Sequence, residues 1–267
     1  MYKCLAFASS RRDWTRIAPR LWYDSPNGIA ATLERVGMGG WPMDYHIHGS
    51  TMQTLEVRLE PGESVFSEAG CLLSMTPGTY METRAPGGLA GMFRRALSGN
   101  SVFLTYYRAA RGESVVQFTT RMPGHILALP LHQYGRVIAE RHSFLCAEST
   151  VDYGVEVTLN IGRFLGGNGL ALTHLAGDGM AFLSIDGEIV ERDLARGESL
   201  LVHPGHIAAF TDGIDYRVQL MQGVANMLFS GDGLFLVELT GPGRVWLHSV
   251  TVHNLVHVIQ AYWGSPR

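Results

Sequence analysis

Short apolar runs bounded by glycine or proline recur along most of the chain. TLEVRL (54–59), ESVFSEAG (63–70), SVFLTYY (101–107) and ESVVQFTT (113–120) are rich in β-branched and aromatic residues and return every 8–12 residues. Side chains of that kind suit a pleated, half-buried surface, so the pattern predicts strands and an all-β fold. GLAGMFRRALSG (88–99) breaks the pattern, with Leu89, Met92, Phe93 and Leu97 at helical spacing. NIGRFLGG (160–167) and GVANMLFSG (223–231) are shorter counterparts, so each predicts a small helix.

The phrase SGDGLFLVELTGPGRVWL (230–247) raises the question of a phosphate-binding loop. Nearly the same phrase occurs as SGNSVFLTYY (98–107) and GGNGLALTHL (166–175). Four anchors recur in order: a turn glycine (Gly62, Gly135, Gly197), a tyrosine (Tyr80, Tyr153, Tyr216), the motif glycine (Gly99, Gly167, Gly231) and a second turn glycine (Gly112, Gly179, Gly243). Tyrosine-to-motif intervals of 19, 14 and 15 residues place an insertion in the first copy, within APGGLAG (85–91). Self-similarity at this period predicts three tandem β units related by a pseudo-threefold arrangement, spanning 44–122, 123–185 and 186–250. Residues 1–43 then read as an extension or linker and 251–267 as a tail. In this scheme Gly99, Gly167, Gly231 and Gly243 are structural: LFLVEL is a strand, TGPGR a hairpin turn, and RVWLHS its returning partner.

Composition narrows the chemistry. Of 267 residues, 46% are hydrophobic and 17% charged, as in a packed globular protein. Residues 1–43 carry six basic and three acidic side chains, leaving 15 basic and 21 acidic for the rest. Lys3 is the single lysine, which excludes a Schiff-base lysine and a P-loop lysine from the remainder. An acidic body without basic clusters weighs against nucleic acid as a partner. Three scattered cysteines, Cys4, Cys71 and Cys146, argue against a disulfide framework and predict a cytoplasmic protein. Cys71 (GCLLSM) and Cys146 (SFLCAE) read as corresponding, buried small hydrophobes.

The stretches GGLAGMFRRALSGNSVFLT, FLGGNGLALTHLAGDG and FSGDGLFLVELTGPGRVWLHS resemble the altered-inheritance-of-mitochondria protein 24 family over about 46–250. That resemblance implies three fused copies of the unit of the tryptophan RNA-binding attenuation protein, a shortened double-stranded β-helix. RNA binding does not carry over, because the lysine-rich edge it needs has no counterpart after Lys3. Mitochondrial family members are associated with inner-membrane organisation, which implies a scaffold or interaction role.

Histidines are the remaining candidates for chemistry. His46 and His48 (HIH) resemble part of a cupin metal motif, but Glu56 lies too far along for that pattern. HPGH adds His203 and His206 around a turn, a candidate metal pair short of the three convergent ligands a first-row metal needs. His253 and His257, spaced i,i+4 after His248, would share a helix face, although a docked or frayed terminal segment is the simpler expectation. Asp152 and Asp215 precede equivalent tyrosines and serve as strand entries or as a converging pair. Leu89, Phe93, Arg94 and Arg95 form a candidate contact with a membrane or partner, against ordinary helix packing. GxSxG, HExxH and GxxxxGK[ST] are absent from the sequence. The expectation is a non-enzymatic binding or scaffold protein without a cofactor, homo-oligomeric, with peripheral membrane contact as an option. A cupin-like metal-dependent enzyme is the alternative.

Overall fold

A computed structural model describes residues 43–84, 103–159, 170–220 and 235–263. Strand β1 (Asp44–His48) precedes three consecutive sets of six. The first set is β2 (Thr54–Leu59), β3 (Ser64–Glu68), β4 (Leu72–Met75), β5 (Thr79–Arg84), β6 (Leu104–Ala109) and β7 (Ser114–Thr119). The second is β8 (Gly124–Pro130), β9 (Val137–Glu140), β10 (Phe144–Glu148), β11 (Asp152–Leu159), β12 (Leu170–Ala176) and β13 (Met180–Asp186), with the short helix α1 (Leu131–Tyr134) after β8. The third is β14 (Ile189–Leu194), β15 (Ser199–Val202), β16 (Ile207–Thr211), β17 (Asp215–Leu220), β18 (Phe235–Thr240) and β19 (Gly243–His248), followed by helix α2 (Val252–Trp263).

One antiparallel pairing scheme serves all three sets. The first and third strands flank the sixth, and the second and fourth flank the fifth. Between sets, the second strand pairs with the third strand of the next: β3 with β10, and β9 with β16. Each third strand carries a register shift at the same step, Leu72/Ser74, Phe144/Cys146 and Ile207/Ala209. The sheets are therefore β1-β2-β7-β4, β5-β6-β3-β10-β13-β8, β11-β12-β9-β16-β19-β14 and β15-β18-β17.

These four sheets stack around three cores. Leu55, Val116 and Phe118 of the first sheet meet Leu145 and Phe182 of the second. The second and third sheets enclose Phe66, Phe144, Leu183, Ala209 and Trp246, and the third and fourth enclose Ile138, Phe210, Val237 and Leu239. The two six-stranded sheets are thus covered on both faces. That is why FLCA of β10, AFLSI of β13 and IAAF of β16 are, Ser184 apart, apolar without alternation, and why every one of those residues is buried.

The hairpin expected at TGPGR does not form. β18 belongs to the fourth sheet and β19 to the third, so the Gly241–Pro242 link is a corner between layers. Two residues suffice because the backbone approaches closely: a Cβ on Gly241 would lie 2.5 Å from the Leu194 carbonyl oxygen and closer still to that of Ala195. Proline offers no N–H, while Gly241 N–H donates to Glu198 O at 2.9 Å. The hairpin partner of β18 is instead β17, across residues 221–234. The tyrosine anchor also needs correcting. Tyr153 and Tyr216 pair with Leu175 and Leu239, which face Val137 and Leu200 on the second strands. Tyr80 pairs with Arg108, while Met81 faces the equivalent Tyr107, opposite Val65. A slip of one residue turns a strand side chain to the other face: Tyr80 is 48% exposed, whereas Tyr153 packs on Phe144 and Phe66.

The predicted helix at 88–99 and the glycines Gly99, Gly167 and Gly231 lie outside the described residues.

Candidate functional site

An enclosed polar constellation is built where the sixth strand of the third set ends. His248, 7% exposed, accepts the Asp186 N–H at Nδ1 (2.9 Å) and faces Ser143 Oγ through Nε2 (3.1 Å). A backbone N–H can only donate, so Nδ1 is bare and the ring proton sits on Nε2, pointing at Ser143. The imidazole therefore donates to the hydroxyl and cannot act as its base. Ser143 is also 1% exposed, which denies it a substrate. Burial, and secondarily the nearby His206, push the His248 pKa down to about 4, so the ring is neutral at ordinary pH.

His203 and His206 belong to the same neighbourhood but not to a ligand set. The His203 side chain accepts from Gly205 N–H (3.3 Å) and caps the 204–206 turn, while His206 Nδ1 lies 2.7 Å from His248 O. Glu140 is the corresponding cap in the preceding set, accepting from His142 N–H and Ser143 N–H at 2.7 and 3.1 Å. Desolvation nonetheless raises its carboxyl pKa to about 8. Glu56, too far along the sequence for the cupin motif, lies directly across the ladder from His46. Its carboxylate is taken up by Gln117 (2.9 Å), Arg58 (3.3 Å) and His48 (3.5 Å). Among the described residues, no three His, Cys, Asp or Glu side chains converge as a metal site.

Cys71 and Cys146 are 2% and 0% exposed, and burial raises both thiol pKa values, which leaves neither reactive. They are not equivalent positions: the strand register matches Cys146 to Ser74 and Ala209. Asp152 and Asp215 start β11 and β17 in different sheets, where they face His174 (3.5 Å) and Arg217 (2.9 Å) respectively. The tail is neither docked nor frayed over Val252–Trp263. It is a helix with no buried residue, and His253 and His257 meet on one face with Nε2 atoms 2.9 Å apart. Leu89, Phe93, Arg94 and Arg95 lie outside the described residues.

Two features had no signal in the sequence, because their members are far apart along it. Glu68, 6% exposed, accepts from Arg141 Nε (3.2 Å) and Tyr153 OH (2.9 Å) where the first two sets join. A shallow depression of about 490 Å³ is lined by Ser64, Tyr80, Glu82, Arg84, Tyr106 and Arg108, among others. There the Arg84 and Arg108 guanidinium groups each lie 5.3 Å from a tyrosine ring centroid, over Tyr106 and Tyr80. Such a surface can bind, but it offers no paired nucleophile and base.

The family profile described as mitochondrial biogenesis AIM24 matches residues 45–250, which takes in all the strands from Thr54 to His248. The chain belongs to the AIM24 family. An uncharacterised protein of Streptococcus pyogenes serotype M6 is 24% identical over 217 residues, covering 78% of this chain and 86% of that one. The altered inheritance of mitochondria protein 24 of Verticillium alfalfae is 25% identical over 171 residues, 62% of this chain and 43% of that protein. A crystal structure of a Streptococcus pyogenes protein superimposes with a TM-score of 0.69 at 24% identity, covering 82% of this chain and 99% of that one. Its likeness concerns the fold alone. Among the described residues of this AIM24-family chain, no helix is long and apolar enough to cross a membrane.

Proposed function

We propose that this AIM24-family protein is a non-catalytic scaffold that works by binding. Its three sets of strands are read as tandem copies of one shortened double-stranded β-helix, with units at 44–122, 123–185 and 186–250. The observation that carries the reading is the direction of the His248–Ser143 hydrogen bond, fixed by Asp186 N–H. The residues best placed for hydrolytic chemistry hold the corner of the fold together instead. His203 and His206 are likewise engaged with backbone atoms. The name of the fungal relative ties that protein to mitochondria, and the reading adds a link of this chain to membrane-associated assemblies. Peripheral contact through residues 88–97 extends that reading, and liposome co-sedimentation weakened by Phe93→Glu is its check.

Cross-linked affinity capture of the full chain from its own cells should return a recurring set of proteins. A stoichiometric transition metal in purified protein, lost on His206→Ala, would overturn the reading in favour of a cupin-like metalloenzyme.

A further inference from the structure

The second strand of each set pairs with the third strand of the next, twice: β3 with β10 and β9 with β16. That scheme leaves one strand of each kind over. Among the described residues β4, the third strand of the first set, bonds only to β7, and β15, the second strand of the third set, only to β18.

Both leftover edges keep the chemistry of a buried joint. At the closed joints Leu145, Cys146 and Ala147, and Ala208, Ala209 and Phe210, are all buried. Their register counterparts on β4 are Leu73, Ser74 and Met75, of which Leu73 is 52% and Met75 38% exposed. Phe66 and Ile138 are buried on the partner side, whereas their counterpart Leu201 is 49% exposed. Every other edge strand carries a charged residue or a proline: Asp44 on β1, Glu82 and Arg84 on β5, Pro130 on β8, Asp152 on β11, Glu191 on β14 and Asp215 on β17. Those are the usual devices against edge pairing. LLSM of β4 and SLLV of β15 have neither.

We infer that β15 of one copy pairs antiparallel with β4 of a second copy, joining chains head to tail. The inference rests on the scaffold reading and names its partner. The register of the closed joints places Val202 opposite Ser74 and Leu201 opposite Met75 of the neighbour. The β15-β18-β17 sheet and the β1-β2-β7-β4 sheet then form one seven-stranded sheet whose six strands other than the terminal β1 repeat the order of the two six-stranded sheets. The contact is heterologous, so an open assembly of any length keeps one free edge of each kind until a ring closes.

The full chain should sediment at a multiple of its own mass. Leu201→Lys and Leu73→Lys, each at an exposed position, should each run as a single chain. An equimolar mixture of the two should give a two-chain complex and nothing larger, because one variant keeps β4 open and the other β15. A wild type that stays a single chain, variants that keep the wild-type mass, or a mixture without a two-chain species would each overturn the inference. If either lysine variant unfolds, Leu201→Cys combined with Met75→Cys in a Cys4→Ser background keeps it testable. Oxidation should give a ladder of linked chains with the pair together and at most two-chain species with either alone; a pair that cross-links no further than the single variants would overturn it. None of these outcomes bears on metal content or on captured partners, so the scaffold reading can fail separately.

Discussion

Replacing His248 by glutamine should remove the acid-induced loss of stability that the buried imidazole brings to the corner of the fold. The buried imidazole titrates at about 4, against 6.5 as its ordinary value. The unfolded chain therefore binds a proton that the folded chain refuses. Stability from the neutral ring is fully present above about pH 6.5 and is lost as the pH falls toward 4. At pH 4.5 the loss comes to about 2–3 kcal/mol by linkage. Asp186 works in the opposite sense, because burial raises its carboxyl pKa to about 6 and its contribution grows as the pH falls. Glu140, its carboxyl pKa raised by desolvation to about 8, acts in the same sense as Asp186, so the wild-type profile sums opposing contributions and the difference between the two proteins is the informative quantity. Glutamine can satisfy only part of the geometry offered to Asp186 N–H and Ser143 Oγ, a cost of about 1–2 kcal/mol at pH 7.5. Urea unfolding at both pH values should show the variant less stable at 7.5 and at least as stable as wild type at 4.5. A gap that stays constant to within about 0.5 kcal/mol would refute the assignment of a neutral, buried His248.

Three further substitutions probe the fold. Arg141→Met strands the buried Glu68 carboxylate and should cost about 2–3 kcal/mol in urea unfolding, some of which Glu68→Gln in the same chain restores. Gly241→Ala drives a methyl into the Ala195 and Leu194 carbonyls and should lower stability by about 2–3 kcal/mol; a neutral effect would remove the close approach at the corner. Trp246→Ala empties a side chain that is 1% exposed in the central core, with an expected loss of about 3–5 kcal/mol in calorimetry or denaturant titration.

The strands and their spacing were legible in the sequence because a pleated, half-buried ribbon imposes its own residue types. Layer assignment was not. GRVWLH follows FLVELT after two residues, as a hairpin partner would, yet the two strands lie in different sheets. Local pattern reports that a strand exists; it does not report which ladder it joins. The tyrosine anchors illustrate the same limit, since Tyr80 fits the spacing and faces the other way. Metal-like histidine patterns were visible, but the pairing of His248 with Ser143 spans 105 residues and had no local signal. Leu201 and Met75 carry no mark in the sequence that separates them from core residues of a strand, and only the unpaired ladders set them apart.

Hydrogen exchange on the full chain, read over residues 72–75 and 199–202, tests head-to-tail joining most directly. Wild type should protect both edges, and Leu201→Lys should release both while leaving β9, β10, β13 and β16 protected. Fast exchange at both edges in wild type, unchanged in the variant, would contradict the account.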